Sequence, residues 1–290
     1  MIENYILHIL ILMSIYSIFA VSYNVALGYA GLLNLGHVAF FGLGAYTSAL
    51  LTKAGVPFVV AFICAGVIAA VFGYLLVYLT RELKGDYLVL ATLGFSFVFT
   101  SLMLNWRWLT RGPLGLPGIA KPNIFGLVIK GNLMYFIFVL IIAAICLYIM
   151  WRIVSSPFGR LLEATRDDEL GLRVLGKNTF NLKAKAMTVS AFFAGLAGSL
   201  FAHYISYIDP GTFYIMEIIL ILSIVIIGGV ASFKGSIVGT IILILLPELL
   251  RFLSISSSIL GPLRQMLYAV VLLGLLMYRP RGIFGRVDLE

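Results

Sequence analysis

Charged side chains are scarce in this chain, and acidic ones scarcer. Among 290 residues there are 20 Lys and Arg and 12 Asp and Glu, or 11% in all. A soluble domain usually carries about 25%, so no soluble domain of ordinary size fits here. The two cysteines, Cys64 and Cys146, lie inside apolar runs without a C-x-x-C partner. They read as inert lipid- or core-facing residues and fix no redox compartment. No G-x-x-x-x-G-K-[ST] segment is present, so the chain has no phosphate-cradling loop of its own. Gly42 and Gly44 start a G-x-G that lacks the later glycine and any strand context. There is no H-E-x-x-H, no cluster with metal-ligand spacing and no G-x-S-x-G elbow. Hence no enzymatic chemistry, metal or cofactor is expected.

What remains is apolar. Hydrophobic residues make up 62% of the chain, against about 45–50% in soluble domains, and they fall in runs that recur nearly end to end. A helix needs about 20 such residues to span a bilayer. The fold class is therefore an all-α polytopic membrane protein, with about 8–10 transmembrane or re-entrant helices in two pseudo-repeated halves. The opening "MIENYILHIL" lacks the basic region of a signal peptide and reads as a retained first helix. The periodicity predicts helices over Tyr5–Leu27, Val38–Thr52, Phe58–Thr80, Leu88–Leu104 and Asn132–Trp151. It predicts four more over Ala186–Ile208, Ile215–Val230, Ile237–Leu250 and Leu263–Tyr278. Several are shorter than about 17 residues, among them Val38–Thr52, Ile215–Val230 and Ile237–Leu250, and such lengths suggest re-entrant or broken helices buried among others.

The net charge of +8 does not point to nucleic acid, because the basic residues sit between apolar runs and meet lipid headgroups. Arg152, Arg160, Arg166, Arg173, Lys177, Lys183 and Lys185 place the 152–185 stretch in the cytoplasm. Arg279, Arg281 and Arg286 place the C-terminus there too. "RELKGDY" at Arg81–Tyr87 agrees. The Asn105–Gly131 connection then falls outside, despite Arg107, Arg111, Lys121 and Lys130. The N-terminus depends on Val38–Thr52: inside if that piece is re-entrant, outside if it spans. A cytoplasmic N-terminus is favoured.

Two segments break the apolar pattern. "GYAGLLNLGHVAFFGLGAY" (Gly28–Tyr46) places Gly31, Asn34, Gly36, His37, Gly42 and Gly44 at membrane depth. "GGVASFKGSIVGT" (Gly228–Thr240) adds Gly228, Gly229, Gly235 and Gly239. Transporters with internal repeats place substrate at paired discontinuities, where unwound backbone lines a cavity. The plainer reading is close helix packing at small residues, and the two weigh about equally. A lone His37 is more often packed than a proton relay. Asn34 could bond a neighbouring helix or cap the next one. Asp86, Asp209, Glu217 and Glu248 sit near helix ends, where water can reach them.

The cytoplasmic stretch "SPFGRLLEATRDDELGLRVLGKNTF", within about 155–180, reads as a helix from Arg160 to Leu175. Leu161, Ala164, Leu172 and Leu175 share one face, with Glu163, Arg166, Asp167, Asp168, Glu169 and Arg173 around it. Gly176 and Asn178 supply helix-stop chemistry. The plain reading is a solvated helix on the membrane surface. The mixed signs favour a ridge docked on a partner protein over an anionic-lipid anchor.

In these segments the chain resembles the permease subunits of branched-chain amino acid ABC importers. The resemblance runs through the two glycine segments and the cytoplasmic stretch. It also covers "RGPLGLPGI" (Arg111–Ile119), "SAFFAGLAGSLFAHY" (Ser190–Tyr204) and "YRPRGIFG" (Tyr278–Gly285). It implies a single transmembrane permease domain over 1–290 in the cell membrane. It further implies pairing with a paralogous permease subunit, two cytoplasmic ATP-binding subunits and an extracytoplasmic substrate-binding protein. Glu163–Gly176 would be the coupling helix, and the glycine segments would frame the path. Three positions depart from the pattern: Asn34 stands where relatives carry serine, and Ser96 and Phe97 where they have glycine and glutamate. Related importers carry urea or short amides. The rivals from other classes are an ion-coupled secondary transporter, which needs a buried carboxylate or ion site, and a passive channel.

Overall fold

The computed structural model describes residues 2–83, 85–124, 127–129, 131–251, 257–279 and 281–285. Backbone groups in lipid must be satisfied within their own segment, and the apolar runs accordingly become helices. α1 (Ile2–Asn24) continues into a π-helical turn at Val25–Tyr29, then come α2 (His37–Lys53), α3 (Phe58–Leu79) and α4 (Asp86–Asn105). One turn, α5 (Arg107–Thr110), leads to β1 (Leu116–Pro117), β2 (Asn123–Ile124) and β3 (Leu127–Val128). α6 (Asn132–Val154), α7 (Pro157–Asp167), α8 (Glu169–Val174) and α9 (Thr179–Ile205) follow. The chain closes with β4 (Tyr207–Ile208), α10 (Ile215–Gly228), α11 (Phe233–Arg251) and α12 (Ser257–Tyr278). Among the described residues the strands form two-residue antiparallel pairs, β1 with β4 and β2 with β3.

Among the described residues, five helices are long and apolar enough to cross a membrane: α1 with its π turn, α3, α4, α6 and α9. α9 is the centre of the bundle, with 78% of its apolar window buried against 28% for α4 and α6. Its small residues explain that position, because they let backbones meet. A methyl group added at Gly195 would press on Ala65 and Ala69 of α3, and one at Gly198 on the Phe41 carbonyl of α2. Gly73 of α3 meets Ala191 of α9 in the same way.

The structure departs from the sequence expectations at several points. α2 is no re-entrant piece: it runs the length of the bundle. Its start lies by Thr92, where Leu35 N donates to the Thr92 Oγ1 at 3.1 Å. At its far end Lys53 Nζ donates to Pro117 O at 2.6 Å. That extra crossing moves the N-terminus. Tyr5 bonds Glu248, and His8 Nδ1 lies 2.6 Å from the Tyr204 hydroxyl at the end of α9. α1 therefore begins on the face of the 105–131 connection, opposite the 155–178 segment, and not on the same face as expected. α9 starts at Thr179 and not near Ala186, because Asn178 caps it by accepting from Asn181 N at 3.0 Å. The expected Arg160–Leu175 helix is two helices. Asp168 leaves helical geometry at φ −149° and caps α8 by accepting from Gly171 N at 2.9 Å. The basic residue Arg286 at the C-terminus lies outside the described residues.

Candidate transport site and coupling segment

Each glycine break joins two antiparallel helices, α1 to α2 and α10 to α11, and the breaks meet. Asn24, the last residue of α1, is 1% exposed. Its Oδ1 accepts from Ala231 N at 3.1 Å, and its Nδ2 donates to Ser232 O at 3.1 Å and Ser236 Oγ at 2.6 Å. One turn on, a methyl at Gly28 would stand 2.9 Å from Ala231 Cα. Sequence reasoning passed Asn24 over. Its one signal is an amide at the end of a long apolar run, where a polar side chain needs an interhelical partner.

The expected path residues divide by what they touch. Gly31, at φ +67°, lies under the aliphatic stem of Arg166. Asn34 is fully buried; its Oδ1 accepts from Gly36 N at 2.8 Å and its Nδ2 points to Met187 Sδ at 3.3 Å. It thus bonds both a neighbouring helix and the residue ahead of α2. Gly36 abuts the Thr92 carbonyl. His37 is a packed histidine, stacked on Phe19 at 5.2 Å between centroids. The Ser22 hydroxyl donates to Phe19 O at 2.7 Å, so His37 Nε2 donates to Ser22 Oγ at 3.1 Å. Gly42 faces the rings of Phe99 and Phe213, and Gly44 lies on the Gly195 backbone. Gly228 and Gly235 meet each other, and Gly239 meets Ile224 O. Backbone or side-chain atoms occupy the space beside each of these glycines, so within this chain they serve close approach.

The second break is completed from the C-terminus. Ile283 N donates to Ile227 O at 2.9 Å and Phe284 N to Gly228 O at 3.0 Å. These bonds satisfy carbonyls that a helix end leaves without partners. Gly229, at φ +117°, leaves room for Gly285, where any Cβ would collide. This gives the "YRPRGIFG" segment a structural task that its sequence did not reveal.

The 155–178 segment lies against the first break. Ser156 caps α7, which buries Leu162 and Thr165 against the bundle and leaves Leu161 and Ala164 of the expected apolar face half-buried. Arg166 Nη1 donates to Gly28 O at 2.6 Å while its Nε meets Asp167 Oδ1 at 2.8 Å. Glu169 ties α8 to the start of α9. Arg173 Nη2 reaches it at 2.5 Å, Lys183 Nζ at 2.7 Å and the Thr179 hydroxyl at 3.0 Å. Partial burial alone would raise the Glu169 carboxyl. The Lys183 bond and charge, with Thr179 and Arg173, override it and hold the group down at about 2. Arg166 and Glu169 therefore face the bundle and do not serve as outward charges. What faces outward is Leu170, Val174 and Leu175, at 69, 87 and 75% exposed, together with Arg160, Asp167, Asp168 and Gly176. Glu163 and Ala164 are half-buried, and Leu172 is buried. Gly176, at φ +75°, ends α8, whereas Asn178 begins the next helix.

At the other end of the bundle, polar groups hold the connections. His203 Nδ1 donates to Ala120 O at 2.7 Å, and its Nε2 accepts from Ser48, itself an acceptor from Ser199 at 2.7 Å. Asp209 caps a single 3-10 turn by accepting from Gly211 N at 2.7 Å. Glu217 and Glu248 stand near helix ends, as expected, but hold Tyr16 (3.0 Å) and Tyr5 of α1. They line a cavity of about 470 Å³ with Leu12, Ile244 and Tyr268. No group of three metal-ligating side chains occurs among the described residues.

Residues 5–278 match the family model described as the permease component of branched-chain amino acid transport systems. The chain is 34% identical to the high-affinity branched-chain amino acid transport system permease protein LivM of Escherichia coli K12, covering 93% of this chain and 67% of that protein. It is 26% identical to the probable branched-chain amino acid transport permease LivM of Methanocaldococcus jannaschii, over 95% and 92%. It is also 30% identical to the autoinducer 2 import system permease LsrC of Salmonella paratyphi B, over 83% and 68%. No solved structure matches it at a comparable level. A helical bundle with its 155–178 segment set against a pair of glycine breaks, and a family match over nearly its whole length, lead to one conclusion: the chain belongs to the branched-chain amino acid transport permease family.

Proposed function

We propose that this chain forms, with a paralogous permease subunit, the membrane path by which branched-chain amino acids are taken up at the expense of ATP hydrolysed on separate subunits. The observation that carries the reading is the outward face of α8. Leu170, Val174 and Leu175 are exposed on a helix whose other side is pinned by Glu169 to α9. A clamped helix with a bare apolar ridge suits a partner's groove. The ATP-binding subunits dock there, on the cytoplasmic face, and the N-terminus and the 105–131 connection face outward toward the substrate-binding protein. The glycine breaks then lie at the inner end of the path. There they are the deformable joint between helix pairs, and the cargo cavity lies between the two permease subunits. Alternating access follows from ATP-driven rocking of α7 and α8.

The test is uptake by proteoliposomes holding this chain, its paired permease, the ATP-binding subunits and the binding protein. ATP should drive accumulation of labelled leucine, with isoleucine and valine competing and urea not. The double substitution Val174→Asp, Leu175→Glu should abolish uptake and co-purification of the ATP-binding subunits while leaving the melting temperature unchanged. Accumulation driven by an ion gradient without those subunits would refute the reading.

A further inference from the structure

We propose that Arg166 and Asn24 are positioning residues in series: Arg166 hooks α7 to the first glycine break, and Asn24 locks the first break to the second. Movement of the cytoplasmic segment then reaches both breaks as one unit. The inference deepens the functional reading above and rests on it for its consequence in transport.

The geometry is a chain of hydrogen bonds laid over elements that already pack together. A helix end leaves carbonyls without helical partners; here Ala26 O and Leu27 O still accept from Leu32 N and Gly31 N, and Gly28 O is taken by Arg166. The same side chain lies across Gly31, where an added methyl would stand 2.8 Å from its Cγ. Arg166 is 17% exposed, so this grip is shielded from water. Four residues earlier, Asn24 uses both amide protons and its carbonyl oxygen on the second break. The residue it seizes, Ala231, sits at φ +59° without being glycine. Such a conformation persists only where neighbours over-determine it, and Asn24 supplies the bond that does so. The Glu169 network, by contrast, joins α8 to the start of α9 and touches neither break. Coupling between sites is carried by packed side chains and hydrogen-bond networks, and these two buried side chains supply the polar links from α7 to the first break and from the first break to the second.

Two measurements test this. The first is hydrogen exchange on the purified chain, which needs no cargo. Arg166→Met should raise exchange about fivefold or more, the low end of an ordinary coupling between sites. It should do so around residues 25–32 and also in 229–236, which Arg166 does not touch. Arg166→Lys, which can still donate to Gly28 O, should restore most of the protection. In an Asn24→Leu background the remote effect of Arg166→Met should vanish. An effect confined to 25–32, or one that persists in 229–236 without Asn24, overturns the linkage.

The second measurement is leucine imported per ATP hydrolysed by the reconstituted complex. Arg166→Met should keep ATP hydrolysis while lowering the ratio about tenfold, and Asn24→Leu should add nothing to that loss, as steps in series require. An unchanged ratio, or losses that multiply, overturns the proposal. Where the wild-type complex imports no leucine, the functional reading falls, and the exchange result alone upholds or overturns the linkage.

Discussion

Gly44→Ala adds one methyl group to α2 at its closest approach to α9. The new Cβ would stand 2.5 Å from the Gly195 carbonyl carbon and closer still to its oxygen. Carbon atoms pack at about 3.5–4.0 Å, so the helices must part by about 1 Å. The obstacle is backbone on both sides and cannot rotate away. Overpacking of this kind costs about 1–3 kcal/mol. The parted helices also lose contacts along a seam that includes Gly198 against Phe41. Opposing this, alanine in a helix gains about 0.5–1 kcal/mol over glycine. A net loss of about 1 kcal/mol corresponds to a fall of roughly 2–4 °C in melting temperature. Gly94→Ala in α4 is the control, since nothing lies within 4 Å of its added methyl; it should melt at or slightly above the wild-type temperature. The assay is thermal unfolding of the detergent-purified chain, followed by intrinsic fluorescence. If Gly44→Ala melts with the control, backbone contact between α2 and α9 is not what centres the bundle.

Glu169→Gln should destabilise α8 by about 1 kcal/mol at neutral pH, a value discounted for solvent screening. Because the folded carboxyl titrates at about 2 against an ordinary 4.5, its stabilisation is complete above pH 4.5 and fades as pH falls toward 2. The melting difference from wild type should shrink over that window only. Ser48→Ala leaves the buried His203 Nε2 without its donor and should cost about 1–3 kcal/mol, read as a lower melting temperature, whereas Thr52→Val at the same helix end should cost less. A cysteine placed at Glu3, with Cys64 and Cys146 replaced, should react with an impermeant maleimide on intact cells. One placed at Lys177 should react only after permeabilisation, and the reverse pattern would overturn the orientation.

The helices were legible because lipid leaves the backbone few alternatives: a long apolar run must satisfy its own hydrogen bonds. Their number and order follow from that rule, and so does the fold class. Positions decided by tertiary partners were not legible. Asn24 finds Ala231 across more than 200 residues of chain, and no local pattern announces such a meeting. Asp168 was hidden for another reason. An aspartate is acceptable inside a solvated helix and excellent at its start, so "RDDE" reads equally well as one helix or two. The glycines were visible as breaks, but a glycine looks the same whether it borders a cavity or a neighbouring backbone. Arg166 and Glu169 carried charge that the sequence assigns to the outside, and burial turned both inward. The N-terminal side depended wholly on whether one 17-residue helix, α2, crosses the bundle.

The central place of α9 also sets a timetable for synthesis. α2 and α3 leave the ribosome about 100–125 residues before the helix they are shaped to embrace, a delay of roughly 5–25 seconds at ordinary elongation rates. Throughout that interval the alanines and glycines of Ala61, Ala65, Gly66, Ala69 and Gly73 form a shallow furrow with nothing in it but acyl chains or an insertase. The nascent N-terminal third is thus a socket awaiting its peg. A polypeptide cut short before Thr179 would remain in that unfinished form.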